Sequence, residues 1–106
     1  MFQDQRKSPR KVYRTKVILA MDGQAPLIGK TSDVGANGVS ISMPDPLTVG
    51  HGGQLSFDLL VEGSFVNITT RAKVLYCIFS SGEFKVGFQF LGPDLAAVTA
   101  LARFMR

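Results

Sequence analysis

Two short stretches hold the residues whose types and spacing could do chemistry. The first is Arg6-Lys7-Ser8-Pro9-Arg10, with two arginines four positions apart. Pro9 disfavours a helix, because the residue before a proline is pushed out of the helical region. The guanidiniums are therefore expected on an extended or turning segment able to wrap over a ligand. Arginine suits an anionic, planar ligand: its fork bonds phosphate or a guanine Hoogsteen edge bidentately and stacks on purines. The second stretch is Asp33-Val34-Gly35-Ala36-Asn37-Gly38, expected as a turn between two strands. Its glycines would permit left-handed backbone and the close approach of a ligand. A carboxylate there could accept hydrogen bonds from the N1–H and N2–H₂ groups of a guanine. The same stretch also reads as an ordinary β-turn rich in turn formers.

Charge points at the first stretch. The formal net charge is +4, yet Arg6, Lys7, Arg10, Lys11, Arg14 and Lys16 all precede residue 17, with Asp4 as the one acid among them. Beyond that point acids outnumber bases, seven to six. An excess confined to one short segment calls for an anionic partner: a phosphate, a nucleic acid or a membrane surface. A solvated basic tail would have the same composition.

Other chemistry has little to work with. His51 is the one histidine and is flanked by glycines in an expected loop, which excludes a multi-histidine metal site and leaves a Ser/His/Asp triad without a fixed base. Cys77, the one cysteine, lies beside Tyr76 and Ile78 in an apolar strand and has no cysteine to pair with. The acids are scattered singly, so no acid/base dyad is proposed. No glycine signature for phosphate binding precedes a helix. The reading is a binding domain: no enzyme, no metal, no cofactor.

The elements that must position these residues follow from periodicity. With 106 residues the chain fits one domain. Val17–Met21 reads as a buried strand ended by Asp22-Gly23, and a second strand runs from Ala25 to about Thr31. Val39, Ile41 and Met43 alternate with serines until Pro44-Asp45-Pro46 stops the strand. Residues 47–53 are expected as a glycine-rich loop. Leu55, Phe57, Leu59 and Val61 give a period of two, apart from Leu60 on the polar side. Glu62-Gly63-Ser64 turns into a strand with Val66, Ile68, Thr70, Ala72, Val74 and Tyr76 on one face. Ser80-Ser81-Gly82 turns again, into Phe84, Val86, Phe88 and Phe90. After Gly92 the period changes: Pro93 suits a first helical position, and Leu95, Val98, Leu101, Ala102 and Met105 fall at helical spacing. The expectation is about six antiparallel strands in a small barrel or sandwich with a C-terminal helix capping one end. No apolar run approaches the ~20 residues of a membrane helix, so neither a membrane span nor a secretory signal is expected.

The order and spacing of these features resemble the PilZ family. That family carries RxxxR in an N-terminal loop, a strand pair, then [D/N]xSxxG, and a six-stranded antiparallel β-barrel with a C-terminal α-helix. Here Arg6 and Arg10 match the first motif, with Arg10 and Arg14 as an alternative register. Asp33 and Gly38 match the second, and Gly35 stands where serine is usual. The Pro-Asp-Pro-Leu-Thr-Val-Gly stretch and Lys85-Val86-Gly87-Phe88-Gln89-Phe90 are also family-like. The resemblance implies an all-β fold: a basic ligand-binding loop at 1–15, a barrel at 16–91 and a helix at 93–106. It implies cyclic di-GMP as ligand, held by Arg6, Arg10, Asp33, Gly35 and Gly38, with Gln5 and Lys7 as further contacts. It implies a cytoplasmic bacterial receptor or adaptor that changes conformation on binding and signals to a protein partner, with no nucleic acid and no membrane insertion.

Three expectations remain open at this level. Gly35 could weaken binding, since a serine hydroxyl would add a hydrogen bond worth about 0.5–1.5 kcal/mol. A domain that has lost its ligand would act through protein contacts alone. A barrel binding single-stranded nucleic acid would need stacking aromatics on a basic face, whereas Phe57, Phe84, Phe88 and Phe90 alternate inward. Neither Arg6 nor Arg10 belongs to the core pattern, so substituting either is expected to leave stability almost unchanged.

Overall fold

The computed structural model describes residues 9–106, and in them the alternation of the sequence becomes seven strands followed by a helix. In chain order these are β1 (Arg10–Val12), β2 (Lys16–Met21), β3 (Leu27–Gly35), β4 (Gly38–Met43), β5 (Gly52–Val61), β6 (Ser64–Ser80), β7 (Glu83–Leu91) and α1 (Leu95–Phe104). All pairings are antiparallel, in the order β3-β2-β5-β6-β7-β4, and β4 pairs back onto β3. Six strands thus close a barrel, and β1 is an extra strand alongside β3.

Period-two side chains fill the interior. Val17, Leu19, Leu55, Leu59, Ile68 and Phe88 have no exposed surface, as expected where alternate residues of every strand face one core. The two tight hairpins close as the sequence expects. Glu62-Gly63 joins Val61 to Ser64, and Ser81-Gly82 joins Ser80 to Glu83. All four turn residues have positive φ, the type I′ geometry that matches the twist of the strands.

The segment expected as a turn at 33–38 is mostly strand. Asp33, Val34 and Gly35 belong to β3, and the chain reverses at Ala36-Asn37. Turn-forming residue types yield here because the stretch has neighbours on both sides: β4 pairs with it through Asp33↔Ser40, and β1 through Val12↔Asp33. Likewise Gly52 and Gly53 open β5 rather than ending a loop. A Cβ on Gly53 would lie 2.7 Å from the Met21 Cα, so glycine lets β5 close against β2.

A bulge changes the face of Tyr76. Pairing passes from Val74↔Phe88 to Tyr76↔Gly87, leaving Leu75 as the extra residue. Tyr76, expected inward, therefore points outward, and Cys77 packs partly buried against the core. One inserted residue reverses every later side chain.

The helix also differs in detail. Asp94 is its N-cap, its side chain accepting from the Ala97 N–H at 2.9 Å, so Pro93 precedes the helix instead of opening it. The buried face is Ala97, Ala100 and Leu101, whereas Leu95 is 79% and Val98 47% exposed. Ala97 and Ala100 let α1 lie close to the barrel beside Leu101, the one fully buried member of the expected stripe.

The segment leading into β2 ties the helix to the barrel. Lys11 Nζ donates to the carbonyls of Phe104 and Arg106 at 2.8 and 2.9 Å, satisfying acceptors at the negative end of α1. The Tyr13 ring meets Phe104 edge-on at 5.3 Å. Its hydroxyl donates to the Asp58 carbonyl at 2.8 Å and accepts from the Leu60 N–H at 2.9 Å. Tyr13→Phe removes both bonds and keeps the ring, so it should cost about 1–2 kcal/mol. Thermal unfolding checks this: a drop in Tm of several degrees is expected.

At the opposite turn, Asp22 accepts from Arg71 Nη1 and Nη2 at 2.9 and 2.7 Å. These bonds hold the Asp22 carboxyl below its ordinary value of 3.8. A carboxyl depressed in the folded state contributes stability above its ordinary value and loses it as pH falls through the lowered one. Both groups are exposed, so solvent screens the effect. Carboxyl titration by NMR should place Asp22 below the ordinary aspartate range, and Arg71→Ala should return it there.

Candidate functional site

The register of five strands gathers the sequence-derived residues on one outer patch. Arg10 of β1 stands opposite Gly35 of β3, and Asp33 of β3 stands opposite Ser40 of β4. Ser40 stands opposite Gly87 of β7, which stands opposite Tyr76 of β6. Val39, Ile41, Val86 and Phe88 point into the core. Alternation therefore turns Ser40 and Gly87 outward, into one continuous row.

Arg10 joins this row. Its Nη1 donates to Asp33 Oδ1 at 3.0 Å and to Ser40 Oγ at 3.3 Å. The side chains of Arg10 and Asp33 are 14% and 21% exposed, so the ion pair is largely shielded from water. Ser40 Oγ also shares a hydrogen bond with the Tyr76 hydroxyl at 2.8 Å. A guanidinium, a carboxylate, a hydroxyl and a phenol thus form one connected network drawn from β1, β3, β4 and β6. Arginine has five N–H donors, so the guanidinium keeps donors beyond Nη1 for a further acceptor.

The glycines act by close approach. Neither Gly35 nor Gly38 is among the residues with positive φ, so the left-handed backbone expected of them is absent. A Cβ on Gly38 would sit 2.2 Å from the Phe88 carbonyl oxygen and 3.4 Å from Arg10 Nη2. Glycine is what lets β4 start flush against β7, with the guanidinium above it. A Cβ on Gly35 would meet the Pro9 carbonyl oxygen at 3.1 Å and Arg10 Cγ at 3.2 Å. That contact is tight but relaxable. A Cβ on Gly87 would lie 2.0 Å from Tyr76 Cε2, so the tyrosine ring lies flat on the glycine backbone.

The sequence reading placed Arg10, Asp33, Gly35 and Gly38 in the site, and the structure brings these four together. Gln5, Arg6 and Lys7 lie outside the described residues. Two participants went unnamed. Ser40 was visible as the polar partner of Val39 and Ile41, but nothing local marked its hydroxyl as part of an arginine network. Tyr76 was assigned to the inner face because no residue type announces the bulge at Leu75. Arg10 also proves to be anchored, so its substitution removes bonds from the folded protein as well as from any ligand. The bonds to Asp33 and Ser40 change the expectation for Arg10 from unchanged stability to a modest loss.

Elsewhere, His51 Nε2 donates to the Asp22 carbonyl at 2.8 Å, a bond that fixes a loop. Among the described residues, no three of His, Cys, Asp and Glu gather closely enough to hold a metal ion. No helix among them is long and apolar enough to cross a membrane.

Solved structures share this architecture. The inhibitor of motility MotI/DgrA from Bacillus subtilis superposes with a TM-score of 0.83 at 18% identity, over 97% of this chain and 50% of its own. The chain thus spans half the length of that protein. The PilZ domain of YcgR from Escherichia coli, solved with c-di-GMP, gives a TM-score of 0.75 at 14% identity, covering 96% of this chain and 89% of that one. The PilZ domain of CeSA from a cellulose-synthesizing bacterium gives 0.62 at 18% identity, covering 92% and 95%. At such identities the likeness establishes the fold. No curated protein matches the sequence. The sequence pattern of the PilZ domain, however, matches residues 4–106, nearly the whole chain and both motif stretches, and the chain therefore belongs to the PilZ domain family.

Proposed function

We propose that this PilZ domain is a cytoplasmic receptor for cyclic di-GMP that catalyses no reaction and passes the signal to a protein partner. The observation that carries the reading is the Arg10–Asp33 pair on the outer patch, within a network that includes Ser40 and Tyr76. Guanine offers O6 and N7 as acceptors to an arginine fork, and N1–H and N2–H₂ as donors to a carboxylate. A cyclic dinucleotide adds two phosphate charges, which Arg6, Lys7 and Arg10 would neutralise. In this proposal Arg6 and Arg10 grip phosphate and guanine, Asp33 takes the guanine donors, and Gly35 and Gly38 keep the surface open. Gln5 and Lys7 add contacts. The solved complex of the YcgR PilZ domain with c-di-GMP supports the same ligand class.

A conformational consequence follows from the bonding. Without ligand Arg10 and Asp33 bond each other through Nη1, and a ligand that takes both groups would loosen that bond. Arg10 is followed directly by Lys11, whose ammonium holds the C-terminal carbonyls of α1. Displacing β1 thereby reaches the helix, the route by which occupancy would be reported to a partner. The competing reading, a domain acting through protein contacts alone, is favoured by the missing hydroxyl at Gly35.

Calorimetric titration separates the two. Cyclic di-GMP should bind at low micromolar affinity or better, and cyclic di-AMP, GTP and cyclic GMP much more weakly. Arg6→Ala and Arg10→Ala each remove charge-assisted bonds of about 1.5–3 kcal/mol, so each should cost about 10- to 100-fold in affinity. Arg10→Ala should also lower Tm by a few degrees, because a largely shielded ion pair of about 1 kcal/mol is lost. Equal affinity for the two cyclic dinucleotides, or arginine variants that bind like the parent, would leave the protein-contact reading standing.

Gly35→Ser is the converse test. Its backbone needs no left-handed angle, and a Cβ there requires β1 to give by a few tenths of an ångström. The added hydroxyl should leave affinity equal or raise it severalfold. A loss of affinity at unchanged Tm would mean that contact with Arg10 outweighs the new bond.

A further inference from the structure

One cross-strand row on the barrel wall is charged with a single sign. Lys16 of β2 stands directly opposite Lys30 of β3, Lys30 opposite Ser42 of β4, and Ser42 opposite Lys85 of β7. Arg14 lies just before β2. Like charges directly opposite each other on antiparallel strands destabilise the pairing. Four cations of the described chain have partners: Arg10 with Asp33, Arg71 with Asp22, Arg103 with Glu62, and Lys11 with the helix carbonyls. Arg14, Lys16, Lys30 and Lys85 make no ion pair or side-chain hydrogen bond among the described residues. Lys73 on β6 and Arg106 after α1 are unpaired as well, so four of the six unpaired cations among the described residues gather in one place.

That place has a shape. Arg14, Lys16 and Lys30 line a groove of about 370 Å³ with Ile28, Pro44 and Glu83. Ile28 is 62% exposed, and its cross-strand neighbour Ile18 is 43% exposed. An apolar floor with basic walls fits neither a bare phosphate nor single-stranded nucleic acid, which needs aromatic platforms. It fits a protein segment in which carboxylates flank an aliphatic side chain. Glu83 is the one acid in the lining, set against three cations. The row is separate from the Asp33–Ser40–Gly87 row, two residues further along β4 and β7.

We propose that the groove between Arg14, Lys16, Lys30 and Ile28 docks an acidic, aliphatic segment of a partner protein. The docking does not depend on nucleotide, and its test does not use the residues of the nucleotide site. Fluorescence anisotropy with a labelled peptide of alternating glutamate and leucine measures it. The peptide should bind at low ionic strength and weaken at least tenfold between about 0.05 and about 0.5 M salt. The glutamine-for-glutamate peptide should bind at least tenfold more weakly. Lys16→Glu/Lys30→Glu should lose binding at least tenfold, and Ile28→Gln about threefold, with cyclic di-GMP affinity unchanged in both. Lys16→Glu alone replaces a like-charge pair by an opposite one, so it should fold at least as well as the parent and still lose several-fold in peptide affinity. Amide shifts on adding peptide should concentrate in β2, β3 and β4. Unaltered peptide affinity in the lysine variants, or shifts confined to the segment before β1, overturns the proposal. So does tighter binding of a single-stranded oligonucleotide or phosphatidylserine vesicles through the same lysines.

Discussion

Strand β3 divides its backbone hydrogen-bonding groups among three partners. Leu27–Lys30 pairs with β2, Lys30–Val34 with β4, and Asp33–Gly35 with β1. Closure of the barrel depends on this division, since β3–β4 is the seam that removes the open edges of the sheet. A bulge at Ser32 supplies the bend. The gap it leaves between β1 and β2 is filled by Thr31, whose buried hydroxyl donates to the Tyr13 carbonyl and accepts from the Thr15 N–H. One fully buried polar side chain thus lets a strand change partner without orphaning backbone groups.

The candidate site is a by-product of the same seam. Where β4 starts against β7, the Phe88 carbonyl requires glycine at 38, and where β1 lies beside β3 the space at Gly35 is tight. The ring of Tyr76 settles on Gly87 for a related reason, because a side chain on β7 would occupy its place. Removing Cβ atoms from a patch of barrel wall leaves a shallow surface floored by backbone. On that floor, charge is supplied by one arginine and one aspartate that neutralise each other.

Fold and function separate clearly in this family. Identities of 14–18% to the solved relatives coexist with superposition of most of the chain, because alternation and turn chemistry tolerate wide substitution while preserving a barrel. What such a barrel binds is decided by a few outward side chains. Here those are concentrated in two neighbouring rows, one holding the arginine–aspartate network and one holding unpaired lysines. Both rows use β4 and β7 as floor, so events in one are two residues from the other.

The sequence by itself determined an antiparallel all-β domain with a terminal helix, from period-two apolar residues and two Gly-containing hairpin turns, and its family resemblance chose the barrel over the sandwich. It also determined the candidate site residues Arg10, Asp33, Gly35 and Gly38, because their types and order form recognisable motifs. Tertiary structure decided the rest, wherever a long-range neighbour outweighed a local preference. Asp33 and Gly35 look like a turn, but pairing with strands on both sides draws them into β3. Leu95 and Val98 look like the core face of a helix, but the helix turns Ala97, Ala100 and Leu101 to the barrel and leaves those two exposed. Tyr76 falls in phase with the core, but a bulge opposite Phe88 and Gly87 turns it outward to Ser40. Each outcome depends on which backbone lies opposite, and register across strands tens of residues apart leaves no mark in local periodicity.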